Sequence, residues 1–462
     1  MISTRTFLSI TTGLIASLTA VAAQPSLAQT SDKPNPAATS AAPPAAPAAP
    51  TAPTAPAAIR KLPTSPPTPL PVNNPKGEAA AVAALTTASN AFAVDLWKTQ
   101  GATAGNLAMS PTSITAALVM TWAGAQGKTA AQMRKALHLQ SNEATVFTGW
   151  RGLSTSLQDP SRKLKLRMAN RLFGEQTFGF LQPFLDKTAA SFGAPLEKVD
   201  FVGKPDAQRL RINEWVATQT ESRIKDLLAP GILTANSRLV LVNAIYFLAD
   251  WATPFKRERT RDAAFNVTTT APKNVPTMQQ VGTFRTAKSG NAAVLELPYQ
   301  GDDTAMWIVF PDAAHGLPAV EAALSAKQMA AWNRDLKAQE LDVRLPKFEV
   351  NPTAGLVLNP ALQKLGITDA FSDKRANFAG IAASTDPLKR LFISLVMHKA
   401  FVKVDEKGTE AAAATAVVIA VKGAMPLPAK AFHVDRPFLF MIVDKKTGLV
   451  LFMGRVVDPS QP

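Results

Sequence analysis

The chain has 462 residues, 47% of them hydrophobic, and carries 49 lysines and arginines against 34 aspartates and glutamates, a formal net charge of +15. That length exceeds one average domain but suits one large one, and the charge permits binding to acidic surfaces such as nucleic acid, anionic lipid or sulfated glycans. Cysteine is absent, which excludes thiol catalysis, cysteine-ligated zinc, iron–sulfur clusters and a disulfide framework.

The first segment reads as a leader. Arg5 precedes an apolar run over residues 7–23, and Ser26-Leu27-Ala28 places small residues before Gln29, the pattern of a secretory cleavage site. The alternative is an uncleaved anchor, because the run approaches the ~20 residues a membrane span needs. Residues 1–28 are therefore expected to be a signal peptide on an exported protein, periplasmic or extracellular, and membrane-tethered if the leader is retained. Residues 29–76 collapse to Ala, Pro, Thr and Ser. Such a stretch cannot bury a core and reads as an extended, disordered linker. The remaining residues, 77–462, have an ordinary globular composition.

Helical periodicity dominates the first part of this domain. Residues 79–97 form an alanine-rich helix candidate, and Ser110-Pro111 looks like an N-cap with Pro in the first turn of a helix over 113–122. Residues 128–133 open a short helix, and 212–228 read as one amphipathic helix ending before Pro230-Gly231. The basic residues of 161–167, SRKLKLR, alternate with apolar ones, as on a solvated strand face rather than a polyanion groove. Residues 238–247 are nearly all apolar, like a strand buried on both faces. Residues 305–310 and 341–350 are further strands. Residues 437–443 and 449–453 flank a turn at 444–448 and give a hairpin. Helices first, then many strands without βα alternation, predict an α+β fold with mainly antiparallel sheets.

Residues 406–423, EKGTEAAAATAVVIAVKG, disagree internally. The four alanines favour helix and the Val/Ile run favours strand.

Little in the chain supports an enzyme. Nucleophilic serine chemistry needs a base and an orienting group, yet there are four histidines, His138, His315, His398 and His433, with no Gly-x-Ser-x-Gly elbow and no His-Glu-x-x-His pair. His398, inside a strand-like run, is expected to be buried and structural. No phosphate-cradling glycine loop or dinucleotide fingerprint is present, so no cofactor, metal or specific nucleic-acid partner is expected.

A dozen ordered stretches then point one way. They include Asn106-Leu107-Ala108-Met109-Ser110-Pro111, Gly124-Ala125-Gln126-Gly127-Lys128-Thr129 and Ile212-Asn213-Glu214-Trp215 with Thr220. Further along come Leu241-Val242-Asn243-Ala244 with Trp251, Leu345-Pro346-Lys347-Phe348, Leu365-Gly366-Ile367-Thr368-Asp369, His398-Lys399-Ala400-Phe401 and Arg436-Pro437-Phe438. Over residues 78–462 the chain resembles the serpin family, and is similar to its exported bacterial members. The resemblance implies three β-sheets, eight or nine helices and a long exposed reactive loop on a metastable native state. It also implies a mechanism: a serine protease cleaves the loop, and the loop inserts into the central sheet before deacylation, trapping the complex covalently.

In those terms Glu406, Gly408, Thr409, Glu410, Ala411, Ala412, Ala413 and Ala414 form the hinge. Alternate small residues can enter a sheet without forcing its neighbours apart, and neither Pro nor an inward charge interrupts them. The family's spacing, about sixteen residues from Glu406, puts the cleaved bond at Lys422-Gly423, and a Lys bait suits a trypsin-like protease. Val421, Met425 or Leu427 would instead suit elastase- or chymotrypsin-like enzymes. Ser110, Ser113, Asn243 and His398 resemble the family's hydrogen-bonded cluster beneath the sheet centre. Trp251, Lys347 and Glu406 resemble the group where the loop enters, with Lys347 and Glu406 as an ion pair. The resemblance leads to an inhibitor acting as a monomer. A non-inhibitory serpin and a basic cell-surface or polyanion-binding module are the alternatives.

Overall fold

The computed structural model describes residues 75–101, 103–194, 196–267, 272–383, 390–409 and 429–462. Among them are a nine-stranded sheet, a seven-stranded sheet, a two-stranded pair and nine α-helices.

The seven-stranded sheet positions the site. Its spatial order is Phe348–Val350, Ile393–Val404, Gly408–Thr409, Leu239–Asp250, Leu164–Glu175 and Glu197–Val199, with Leu356–Val357 also pairing with Ile393–Val404. Period-two alternation decides which side chains go where. In Leu239–Asp250, Leu241, Ile245 and Phe247 enter the main core, while Val240, Val242 and Tyr246 enter a second core under the helix Pro205–Gln219. This explains the unbroken apolar run in the sequence, since both faces are covered. Leu239–Asp250 pairs antiparallel with Leu164–Glu175 on one side and parallel with Ile393–Val404 on the other.

The helix Pro111–Trp122 lies on the main-core face, and Pro75–Thr99 packs against it and against Glu143–Leu157. The nine-stranded sheet contains the expected hairpin, Phe438–Asp444 and Leu449–Val456, turned at Gly448, whose φ of +74° suits a residue without Cβ.

Two expectations are corrected. The helix read over 212–228 ends at Gln219. Glu221 and Ser222 take positive φ, Thr220 Oγ1 accepts from the Ile224 N–H, and the Asn213 side chain binds both the N–H and the C=O of Leu228. The apolar periodicity continues past the helix because Ile224, Leu227 and Leu228 fill the second core from a loop. Residues 341–350, read as one strand, are two. Lys337–Pro346 belongs to the nine-stranded sheet and Phe348–Val350 to the seven-stranded one, with Lys347 at the crossing. Pro346 cannot donate a backbone hydrogen bond, and the Lys347 N–H is taken by the Pro276 carbonyl at 2.9 Å.

Candidate functional site: the seam of the seven-stranded sheet

Where Leu239–Asp250 and Ile393–Val404 run side by side, Asn243 and His398 are register partners. Both point to the main-core face, and the N-terminus of Pro111–Trp122 meets them there. Ser110 is that helix's N-cap: its Oγ accepts from the Ser113 N–H at 3.2 Å and donates to the Leu451 carbonyl at 2.6 Å. The Ser110 N–H donates to His398 Nε2 at 3.0 Å, and His398 Nδ1 donates to Asn243 Oδ1. Asn243 Nδ2 in turn donates to Ser113 Oγ at 2.6 Å. The four residues expected to cluster are thus in one network.

A fifth member, Asn170, escaped the sequence reading. Its Oδ1 accepts from Ser113 Oγ at 2.8 Å and from Asn243 Nδ2. The available signal was a second Asn inside a strand-like run, directly opposite Asn243 in register. His398 is fully buried, and burial pushes its pKa down to about 3 against the opposing pull of Asn243. It is a neutral ring acting as one acceptor and one donor. No nucleophile is activated by it, since Ser110 Oγ is spent on a backbone carbonyl.

At the top of the seam the two strands part, and Gly408–Thr409 lies between them. Gly408 pairs with Asp250, and Thr409 pairs antiparallel with both Ala249 and Val404. Thr409 is fully buried, and its Oγ1 is 2.6 Å from the Tyr299 hydroxyl. Burial pushes the Tyr299 pKa up, so this hydroxyl keeps its proton. Tyr299 stacks on Trp251 with ring centroids 4.6 Å apart. Trp251 holds the segment just before Gly408–Thr409 through its N–H to the Lys407 carbonyl at 2.7 Å and its indole Nε1 to the Asp405 carbonyl at 3.0 Å.

Glu406 is buried and lies 2.9 Å from Lys347 Nζ, with Thr260 Oγ1 also at 2.9 Å. Burial opposes ionisation of Glu406, but the hydrogen bonds from Lys347, its own backbone and Thr260 outweigh it and hold the carboxyl below the usual range. Its contribution to stability is therefore present at neutral pH and is lost as pH falls through that lowered pKa. The position of Lys347 between two sheets, with its backbone hydrogen-bonded to Pro276, is what brings its amine to Glu406.

Gly408 has no room for a side chain. A Cβ there would lie 2.1 Å from the Ala249 carbonyl oxygen and 2.7 Å from Asp250 Cα. Gly408→Ala is expected to expel the 408–409 pair from the seam, costing roughly 1–3 kcal/mol. The measurement is the melting temperature, and an unchanged value would mean that the strands accommodate the methyl.

The hinge residues Glu410, Ala411, Ala412, Ala413 and Ala414 and the bond Lys422-Gly423 lie outside the described residues. Among the described residues no group of three His, Asp or Glu side chains is placed to hold a metal ion.

A family model described as serpin (serine protease inhibitor) matches residues 87–459. The chain belongs to the serpin family. Its relatives include leukocyte elastase inhibitor from Equus caballus, 38% identical over 385 residues, covering 81% of this chain and 99% of the relative. Serpin B6 from Pongo abelii is 38% identical over 382 residues with the same coverage. Among solved structures, Serpin48 of the insect Tenebrio molitor superposes with a TM-score of 0.72 at 31% identity, covering 81% of this serpin and 98% of that chain.

These findings bear out the family and the α+β serpin fold. They overturn the expected location. The relatives are matched over 99% of their length by 81% of this chain, so most of the N-terminal segment read as leader and linker has no counterpart in them. The reading of an exported periplasmic or extracellular protein, membrane-tethered or not, rested on that N-terminal segment alone and is withdrawn. It failed because hydropathy and small residues at a terminus are local signals that nothing in the serpin domain supports.

Proposed function

We propose that this serpin is inhibitory, and that it traps a serine protease covalently when its reactive loop is cleaved and inserts between Leu239–Asp250 and Ile393–Val404. The observation that carries the reading is Gly408–Thr409, a two-residue strand already paired antiparallel in that seam. The residues that follow Thr409 in sequence, Glu410 and then four alanines, suit continued entry because methyl side chains displace little. Domain 77–462 carries the activity as a monomer, behind the Pro/Ala-rich spacer 29–76. Ser110, Ser113, Asn243 and His398 hold the seam closed below the hinge, and Trp251, Lys347 and Glu406 govern the entrance. What holds the seam shut also sets the barrier to insertion.

Lys422 as bait directs the inhibitor to trypsin-like enzymes, whose specificity pocket carries a carboxylate. A second reading, elastase-like specificity through Val421, is favoured by the relatives named leukocyte elastase inhibitor. One experiment tests both. The protein is incubated with trypsin and, separately, with elastase. A denaturing gel is read for a band at the summed mass, and the released C-terminal peptide is weighed to locate the cut. Cleavage without any such band, and without a rise in thermal stability, would sink the inhibitory reading. Lys422→Ala is expected to abolish trapping of trypsin by at least ~100-fold while leaving the fold intact, because the pocket's carboxylate loses its cationic partner. Undiminished trapping by that variant would move the bait to a neighbour.

A further inference from the structure

The nine-stranded sheet curls back on itself at one end. Part of its path runs Phe438–Asp444, Thr304–Pro311, Ala292–Pro298, Pro272–Ser289, Lys337–Pro346 and Lys430–His433. In a flat sheet the first and last of these would lie about 24 Å apart, five spacings of ~4.8 Å. Only residues 434–437 join them, however, and such a link reaches ~18 Å at most from His433 to Phe438. The sheet must bend to close the gap. The Phe310 and Phe432 rings, four strands apart along the path, accordingly meet with centroids 5.8 Å apart. Arg436, in the link, lies 4.8 Å over the Phe310 ring and donates to the Asp312 carbonyl at 2.7 Å.

The inside of that curl is a hollow of about 920 Å³. Residues opposite one another in register share a face, and the face repeats at every second residue. Lys288, Ala293 and Phe310 form one row across three strands. Lys337 lies opposite Thr286, which is two residues from Lys288, and Lys430 lies opposite Leu341, four residues from Lys337. Three lysines therefore share the concave face with Phe310, and all three are exposed where they line the hollow. Phe310 and Ala293 are half-buried and give it an apolar floor.

Four cations line the hollow, Lys288, Lys337, Lys430 and Arg436, and two carboxylates, Asp312 and Asp435. Asp312 is taken by Lys288, and Asp435 by Arg436 at 2.7 Å. His433, also in the lining, is held 3.2 Å from Asp342. Lys337 and Lys430 have no carboxylate partner among the described residues. The lining thus carries two surplus positive charges. Their backbones are ~13 Å apart along the strand, and their flexible four-carbon stems can close on one group between them.

We propose that this hollow binds a small aromatic phosphate monoester, its ring against Phe310 and Ala293 and its phosphate between Lys337 and Lys430. The charges match, because above its second pKa near 6 a phosphate monoester carries almost two negative charges. The mouth of a closed or curled sheet is a common place for a small-molecule site, and the volume falls within the usual range of ~300–1,000 Å³.

The test uses 1-naphthyl phosphate as the probe, titrated into the full chain by calorimetry at about pH 8 and low salt, where the probe is a dianion. Saturable binding of one molecule per chain is expected. It should weaken about tenfold or more in the Lys337→Ala/Lys430→Ala double variant, which removes both unpaired charges. A control double variant, Lys98→Ala/Lys374→Ala, removes two exposed lysines that do not line the hollow and should bind as the parent does. Neutral 1-naphthol and ringless inorganic phosphate should each bind at least tenfold more weakly than the probe. Absence of saturable binding at millimolar probe, naphthol or inorganic phosphate binding as well as the probe, or an equal loss in both double variants would each overturn the proposal. So would unchanged affinity in the Lys337→Ala/Lys430→Ala variant. The comparison of the three ligands uses the unmodified chain and so stands even if a variant does not fold. None of these outcomes depends on protease trapping, so failure here leaves the inhibitory reading intact.

Discussion

Thr409→Arg is expected to convert the inhibitor into a substrate: the protease still cleaves the loop but is no longer retained. Thr409 is fully buried between Ala249 and Val404, with its hydroxyl against that of Tyr299. A guanidinium placed there would have to displace the Thr409 contact with the Tyr299 hydroxyl inside the core, and a buried charge that is not well paired costs several kcal/mol. Each ~1.4 kcal/mol on the insertion step changes the partition between trapping and release tenfold. The number of inhibitor molecules consumed per protease blocked should therefore rise by at least ~10-fold. Thr409→Val is the matched control. It keeps the β-branched shape and leaves the Tyr299 hydroxyl unpartnered, at about 1–3 kcal/mol, and should still give a complex. Because Thr409 already occupies the seam, the Arg variant should also expel the hinge before any protease arrives. A variant that forms the complex at the parental ratio would show that Thr409 does not enter further.

The second large effect concerns acid. His398 is neutral when folded, with a pKa lowered to about 3 by burial, against an ordinary value near 6.5 in the unfolded chain. Between those two values the unfolded state binds a proton that the folded state refuses. Stability is then constant above about pH 6.5 and falls as pH drops toward 3, by ~1.4 kcal/mol per unit and ~3 kcal/mol by pH 4.5. Glu406, Asp369 and Asp458, whose folded pKa values are lowered, add losses of the same sign only at still lower pH. Asp250, raised by burial, works in the opposite direction. The difference between the wild type and His398→Gln in thermal melting from pH 7.5 to 4.5 isolates this histidine from the other titrating groups. His398→Gln keeps one donor and one acceptor but does not titrate, so its stability should fall by ~3 kcal/mol less than the wild type's across that window. Parallel profiles for the wild type and the variant would remove His398 as the titrating group.

Much of this was legible because local rules and tertiary structure agree. The N-cap at Ser110, the doubly buried run in Leu239–Asp250 and the C-terminal hairpin are each written in short stretches of sequence. The illegible parts are those in which a distant contact overrides a local pattern. Arg162 belongs to a run that reads as a solvated strand face, and Lys165 and Arg167 do sit at the surface with Glu221. Arg162 is instead buried against Asp444, which lies in the C-terminal hairpin. Arg171, further along the same strand, is buried between Glu197 and the Trp215 ring. Asn170 was missed for a related reason. Its partners come from a helix and a strand distant in the chain, and only register reveals the meeting. The division at Lys347 was hidden because extended backbone on both sides of Pro346 looks the same whichever sheet it joins.

The parallel pairing of Leu239–Asp250 with Ile393–Val404 has a consequence for how the molecule reaches this form. It joins segments about 150 residues apart, the kind of contact that forms late in folding. It is also the seam with the slanted, slightly weaker ladder, next to an antiparallel one. Each loop residue that followed Thr409 inward would exchange one parallel rung for two antiparallel ones. A chain that folds quickly enough to close this seam around only Gly408 and Thr409 halts short of its best-paired sheet. The native protein would then be a product of kinetics, and its working energy would be the hydrogen-bond ladder it has yet to complete.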